Sequence, residues 1–549
     1  MATIEEIPDG GGLDPGKLEG QGTTSADDME LVRMGKKPRM KRVYNFWTLC
    51  AYQVMMCATW ACVVVLYGTI FDIGGPVGLL YGSIAVAVGQ TLLMASLAEY
   101  CGIWPTAGGQ QFYVQVLASP KWRPLLSYLV GWALMAAEMS IGASCAIQNA
   151  NIIGSFIQTV HPDFVWTSWM NFLLYLFFII LPLFMNVHSS MLPFYSSFGA
   201  FLTVGGFFAW AITVLVKAPK SSAEFVFTTF LNNTGYTSDG WVFIMAFYNS
   251  IYGLYGTDAM MHLVEEMRNA AEDAPRAMVW SMIFAGITTI VTDLILLFTC
   301  GNYEVYLQQL APYVSWFAEI SGSLYGGGLF ISLLFVIGNL LICVGVMASA
   351  SRLGWRMAEE QAFPYSNWLA KLHPRFGIPW NMMLVLFAAE IVVGLISLGS
   401  DLAFYAIVSG SGVFFQLAYI APIVAVLVRG RQILPERKHF DLGRWATLIN
   451  YISVIWALLI VVMYLCPLYL PVTGGDVGNM NWAVAIVGAE ILWSGAYWIY
   501  AARHKYMKES SGLITVEGPI QVLDGQIVET AQPCWTEDDK VKRTNSDAN

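Results

Sequence analysis

Runs of about twenty mainly apolar residues recur along this chain, and that recurrence limits its fold more than any other feature. A bilayer core about 30 Å thick is crossed by about 20 residues of helix. Runs of that kind fall near residues 46–71, 76–99, 126–154, 168–188, 192–216, 240–262, 278–300, 324–349, 379–398, 402–428, 446–470 and 481–501. In hydrocarbon, every backbone N–H and C=O must find a partner within its own segment, so these runs read as helices and not as isolated strands. The expected fold is therefore an all-α membrane protein of about twelve transmembrane helices. Composition agrees: 56% of residues are hydrophobic and 12% charged, against about 45–50% and about 25% in soluble domains. No segment between the runs is long enough to fold as a soluble domain.

Lys and Arg set the expected orientation. With the N-terminus in the cytoplasm, only Lys217 and Lys220 of the 28 basic residues fall on the outer side. This is the positive-inside pattern, and it places both tails in the cytoplasm. Residues 1–44 read as a disordered N-tail without a signal peptide, residues 45–502 as the membrane domain and residues 503–549 as the C-tail. Within the C-tail, the stretch GLITVEGPIQVLDGQIVE has the makings of a brief strand pair. The net charge of -10 is carried largely by the tails, and no basic stripe suits nucleic acid. The one N-x-S/T triplet, Asn232-Asn233-Thr234, lies in the longest expected outer loop, which makes Asn232 a glycosylation candidate.

Ionisable side chains inside spans are costly and mark candidate functional positions. Glu138 falls in the third span, Asp293 in the seventh, Glu390 in the ninth and Glu490 in the twelfth, with Glu99 and Asp258 nearer span ends. No Lys or Arg lies at mid-span to pair with them. A carboxyl group buried without a cation is cheapest when protonated, which suits a proton carrier or a site for a cationic amine. The alternative is a carboxyl that simply hydrogen-bonds a neighbouring helix. Glu138, Asp258 and Asp293 are the candidates for proton coupling.

Three further stretches stand out. The sixth span contains NSIYGLYGTDAMMH, with Gly253 and Gly256 among Tyr252 and Tyr255. Each glycine weakens a helix by about 1 kcal/mol relative to Ala. The pair reads either as an unwound, substrate-facing segment or as close packing through small residues. Aromatic rings beside it suit an ammonium group. Between spans two and three, PTAGGQQFY reads as a re-entrant or interfacial element or as an ordinary turn. After span six, Glu265, Glu266, Arg268, Glu272, Asp273 and Arg276 crowd a short linker, which reads as a gate latch or as a solvated connector.

No P-loop, G-x-S-x-G elbow or H-E-x-x-H motif occurs, and the six histidines are dispersed. Neither an enzyme nor a metal or other cofactor is expected. The nine cysteines include Cys50, Cys57, Cys62, Cys145 and Cys343 in apolar runs, where reduced thiols pack as small hydrophobes.

In order along the chain stand GGPVGLLYG (from Gly74), SLAEYCGIWPTAGGQQFY (from Ser96), EFVFTTFLNNTGY (from Glu224), GTDAMMHLVEEMRNAAEDAPRAM (from Gly256) and SRLGWRMAEEQAFP (from Ser351). Together they resemble the amino acid–polyamine–organocation superfamily, and within it the fungal amino acid/choline transporter branch. The resemblance spans roughly residues 45–500. It implies a five-plus-five inverted repeat, residues 45–216 and 240–428, with two extra helices over 446–501. It also implies alternating access, with substrate held where spans one and six are broken. By position, Thr59, Trp60, Ala61, Cys62 and Val63 would then face Tyr252, Gly253, Tyr255 and Gly256. Relatives carry glycine or serine in the first break, whereas this chain has Ala61-Cys62-Val63-Val64-Val65, a stiffer backbone. The implied activity is proton-coupled transport of an amino acid or a small amine such as choline or γ-aminobutyrate. The implied membrane is the plasma or vacuolar membrane. A non-transporting nutrient sensor on the same scaffold is the other reading.

Overall fold

A computed structural model of the chain describes residues 26–34, 36, 38–307, 309–399, 403–435, 439–473, 479–507, 521–523 and 526–528. Residues 1–25 of the expected N-tail and most of the C-tail lie outside the described residues.

Among the described residues the regular structure is helical apart from a two-strand antiparallel pair, Gln521–Leu523 with Gln526–Val528. We number the principal helices α1 Ala26–Arg33, α2 Phe46–Cys57, α3 Thr59–Val65, α4 Gly75–Ile103, α5 Gly109–Leu117, α6 Arg123–Val160, α7 Ser168–Met185 and α8 Leu192–Lys217. There follow α9 Asp239–Met245, α10 Tyr248–Ile251, α11 Ala270–Thr299, α12 Pro312–Ser321 and α13 Leu324–Glu359. The last four are α14 Trp380–Gly399, α15 Ala403–Arg429, α16 Ala446–Leu465 and α17 Ala483–Tyr497. Among the described residues, ten helices are long and apolar enough to cross a membrane, and Trp380–Ile396 is a shorter apolar one. The sixth run is the exception, because it is not a continuous helix.

Local chemistry sets the ends. Asn45 caps α2 in a reciprocal box: its Oδ1 accepts from Thr48 N at 3.0 Å, and Thr48 Oγ1 accepts from Asn45 N at 2.9 Å. Pro76, Pro124 and Pro193 open α4, α6 and α8, where a missing N–H costs nothing. Small residues let spans approach: a Cβ on Gly286 of α11 would lie 2.7 Å from that of Ala87 on α4. Large apolar side chains such as Phe201, Phe208, Ile287, Val392 and Leu492 point outward, as they must where the solvent is lipid.

The densest packing joins α4 to α11, α6 to α13, and α15 to both α6 and α16. One segment departs from expectation. Part of the N-tail is ordered, since α1 is helical and Leu31 is buried. The element between spans two and three is the helix α5, whose face of Gln110, Gln111 and Gln115 is fully buried.

Candidate functional site

The first span breaks at Ala58, which has left-handed geometry (φ 37°, ψ 42°) between α2 and α3. This conformation costs a residue with a Cβ about 1–2 kcal/mol, and alanine is the smallest such residue. The break therefore lies just ahead of the glycine-free Ala61–Val65 stretch, which stays helical through Val65. Stiffness of the β-branched run and a break in the span coexist because they occupy different residues.

The sixth span unwinds over a longer stretch. After α10 comes one tight turn, Tyr252–Leu254; Tyr255 is extended (φ −92°, ψ 166°) and Gly256 turns left-handed at φ +70°. A second tight-turn helix follows at Met261–Glu266. The two breaks meet. A Cβ on Gly253 would lie 2.9 Å from Cys62 Cβ and 3.3 Å from Thr59 Cα, so glycine is what allows the contact.

The expected site residues thus divide. Thr59, Ala61 and Cys62 lie on the segment that meets span six, and Cys62 Sγ donates to Cys57 O at 3.4 Å. Trp60 turns away: its Nε1 donates to Thr203 O at 2.9 Å and its ring packs on Trp210 and Phe335. Val63 packs in the same buried apolar cluster as Trp60, Trp210 and Phe335. Tyr252 is buried, with its hydroxyl 3.1 Å from Ser144 Oγ on α6. Tyr255 stacks on Phe415 at 5.7 Å between ring centres and lies near Tyr464. A cavity of about 220 Å³ touches Ala58, Thr59 and Trp60 from the other side, between spans one, five and seven, and its rim includes the outward-facing Phe208 and Ile287.

Of the coupling candidates, Glu138 and Asp258 come together and Asp293 stands apart. Ser349 Oγ of α13 donates to Glu138 Oε1 at 2.8 Å. Asp258 accepts from Tyr419 through Oδ1 and from Gln110 Nε2 at 2.8 Å through Oδ2. His262, one turn beyond Asp258, completes the group, with one oxygen or nitrogen from each of the three side chains within 4.8 Å of the others. Asp293 is fully buried beside Ser83 of α4. Glu390 approaches Gly142 of α6 instead.

The charged linker divides into a buried start, Glu265 and Glu266, and a solvated remainder with Arg268 and Arg276 exposed. Glu266 Oε1 accepts from Arg352 Nε at 2.8 Å, Glu265 pairs with Arg356, and all four side chains are buried. Thr106 Oγ1 and Ala107 N also donate to Glu265, at 3.0 and 2.9 Å. Burial pushes the Glu265 carboxyl up, but the Arg356 guanidinium outweighs it and holds the group below the usual carboxylate range. Arg276 and Glu272 form an exposed pair at 2.7 Å. Asn232 Nδ2, the atom a glycan would occupy, donates to Tyr236 O at 2.9 Å and to Asp239 Oδ1 at 3.0 Å.

His262, Ser349, Tyr419 and the two arginines were absent from the sequence expectation. Only Asp258 and His262, four residues apart, left a trace in spacing; the rest are brought in from distant segments.

Comparison with known proteins fits this geometry. A family described as amino acid permease matches residues 44–489. The chain is 25% identical over 487 residues to a choline transporter of Saccharomyces cerevisiae, covering 87% of this chain and 85% of that one. It is 25% identical over 523 residues to an amino-acid permease of Arabidopsis thaliana, covering 89% and 97%. A homologue of that permease in Oryza sativa subsp. japonica is 26% identical over 535 residues, covering 90% and 96%. With bilayer-length helices, two broken spans in contact and a family match over most of its length, the chain belongs to the amino acid permease family of integral membrane transporters.

Proposed function

We propose that this chain is a proton-coupled secondary carrier for an amino acid or a related small amine such as choline or γ-aminobutyrate. The observation that carries this reading is the meeting of the two broken spans at Gly253, Thr59 and Cys62. Broken helices leave backbone groups free to hold a zwitterion or an ammonium, and Tyr252 and Tyr255 add rings that suit a cation. Relatives named for choline and amino-acid transport support the substrate class. Pairing of span two with seven and three with eight, each five apart, supports an inverted repeat. The distribution of Lys and Arg supports cytoplasmic termini.

Uptake of labelled choline, γ-aminobutyrate, neutral and basic amino acids and polyamines into deficient yeast tests the proposal. At least one should accumulate, and an uncoupler should abolish accumulation. No accumulation of any, with the protein at the surface, would refute the carrier reading. Tyr252→Ala should abolish uptake with surface expression intact; unchanged uptake would remove Tyr252 from the site.

A further inference from the structure

Deepening the proton-coupled reading, on which it rests, we infer that Glu138, His262 and Asp258 form one proton-sharing unit, with the mobile proton passing between His262 Nε2 and Glu138. The roles follow from hydrogen bonding. His262 Nδ1 lies 2.8 Å from Ala107 O. A carbonyl oxygen only accepts, so Nδ1 carries a hydrogen and the titrating atom is Nε2. Nε2 has no hydrogen-bond partner among the described residues and faces Asp258 Oδ2 at 3.6 Å. Asp258 accepts from Tyr419 on one oxygen and from Gln110 on the other, so both oxygens already hold donors and Asp258 serves as the unit's fixed acceptor. Glu138 accepts one hydrogen bond, from Ser349, and completes the group from the opposite helix.

Charge balance gives the unit two states. With Asp258 ionised, His262 protonated and Glu138 protonated, the cluster is neutral. Removing one proton, from either His262 or Glu138, leaves one net negative charge fully buried. An uncompensated buried charge is strongly unfavourable, so proton loss favours an arrangement that admits water. Other titratable groups facing the cluster are the phenols of Tyr52 on α2, Tyr113 on α5 and Tyr419 on α15. Arg352, one turn from Ser349 on α13, is engaged with Glu266, and Glu390 of α14 faces Gly142 a turn from Glu138. Among the described residues, no guanidinium or ammonium therefore pairs with the cluster directly. The element bearing Asp258 and His262 begins at the break of span six, so the cluster's charge acts on the segment that meets span one. Gly109 makes room for the imidazole: at φ +51°, a Cβ there would lie 2.9 Å from His262 Cε1.

The protonation arm needs no substrate. Infrared difference spectra of the purified protein in vesicles, taken across a pH step, should show a carboxylic-acid band that is absent in Glu138→Gln and moved along the pH axis in His262→Gln. For transport, labelled choline and γ-aminobutyrate serve as probes. In both variants, accumulation and its uncoupler sensitivity should fall roughly 5–150-fold, the range of a typical coupling free energy. Counterflow, which needs no proton gradient, should fall far less. A band unaffected by either variant, or wild-type accumulation and pH profile in His262→Gln, would overturn the inference. So would one tightly bound divalent metal per wild-type chain, lost in His262→Gln. If wild-type uptake ignores the uncoupler while the band behaves as stated, proton-coupled transport fails and the proton site stands.

Discussion

At the scale of single residues, the site depends on two glycines with different tasks. Gly256 supplies a left-handed backbone at φ +70°, and a Cβ there would meet only Met56 Cε at an ordinary contact distance of 4.0 Å, so Gly256→Ala costs mainly conformational energy, about 1–2 kcal/mol. Gly253 supplies absence of bulk: Gly253→Ala drives a methyl into Cys62 Cβ, an overpacking cost of roughly 1–3 kcal/mol. We expect both variants to reach the membrane and to transport more slowly. Only Gly253→Ala should recover when Cys62→Gly is added, as read by uptake per surface copy. Equal recovery of the two would show that contact with Cys62 is not the reason for glycine at 253. Both glycines were legible in the sequence, because glycine in a helical run is an anomaly. Ala58 was not: alanine favours helix, and its left-handed geometry is imposed by the packing of spans around it.

At the scale of elements, the linker after span six is clamped to the end of α13 by two buried ion pairs. The Arg352–Glu266 pair is incompletely satisfied, since Arg352 Nη2 and Glu266 Oε2 lack hydrogen-bond partners among the described residues. Removing one partner of a buried pair costs about 3–5 kcal/mol, whereas replacing both with apolar residues is often neutral or stabilising. Arg352→Met should therefore lower the Tm in detergent sharply, and Arg352→Met with Glu266→Leu should restore it. The restored protein should nevertheless turn over slowly, because an apolar clamp gains little from the water that opening admits. Recovery of Tm together with full uptake would deny the clamp a part in the transport cycle. The charges of this linker were visible in the sequence, but their partners stand 86 and 91 residues away, a distance that local spacing does not bridge. The same holds for Glu138, whose neighbours come from α13 (Ser349) and from span six (Asp258 and His262).

At the scale of the whole molecule, hydropathy made the helices legible because an isolated apolar segment in lipid satisfies its backbone only as a helix, and each long run except the broken sixth has a helical counterpart in the fold. The ordered end of the N-tail was not legible, because polar residues look alike whether solvated or docked. Its charges tie distant parts together: Lys36 pairs with Glu360, Arg39 with Glu359 at 3.2 Å, and Arg42 Nη1 donates to Met267 O at 2.6 Å. Asp27 accepts from Asn269 N at 3.1 Å and Ala270 N at 3.3 Å, capping α11 from outside its own segment. The tail thus joins the span-six linker to the end of α13, across the ends that must separate if the carrier opens on that side. Arg39–Glu359 is a partly exposed pair of the kind that contributes only about 0–1 kcal/mol, and the buried Glu360 keeps donors in Gln111 and Gln115 without Lys36. Removal of residues 1–40 should accordingly leave a folded, inserted protein with a modestly lower Tm. Its rate of substrate efflux into substrate-free medium should rise, because less energy holds that side shut. Efflux and Tm equal to those of the full chain would mean that the docked tail contributes nothing to closure.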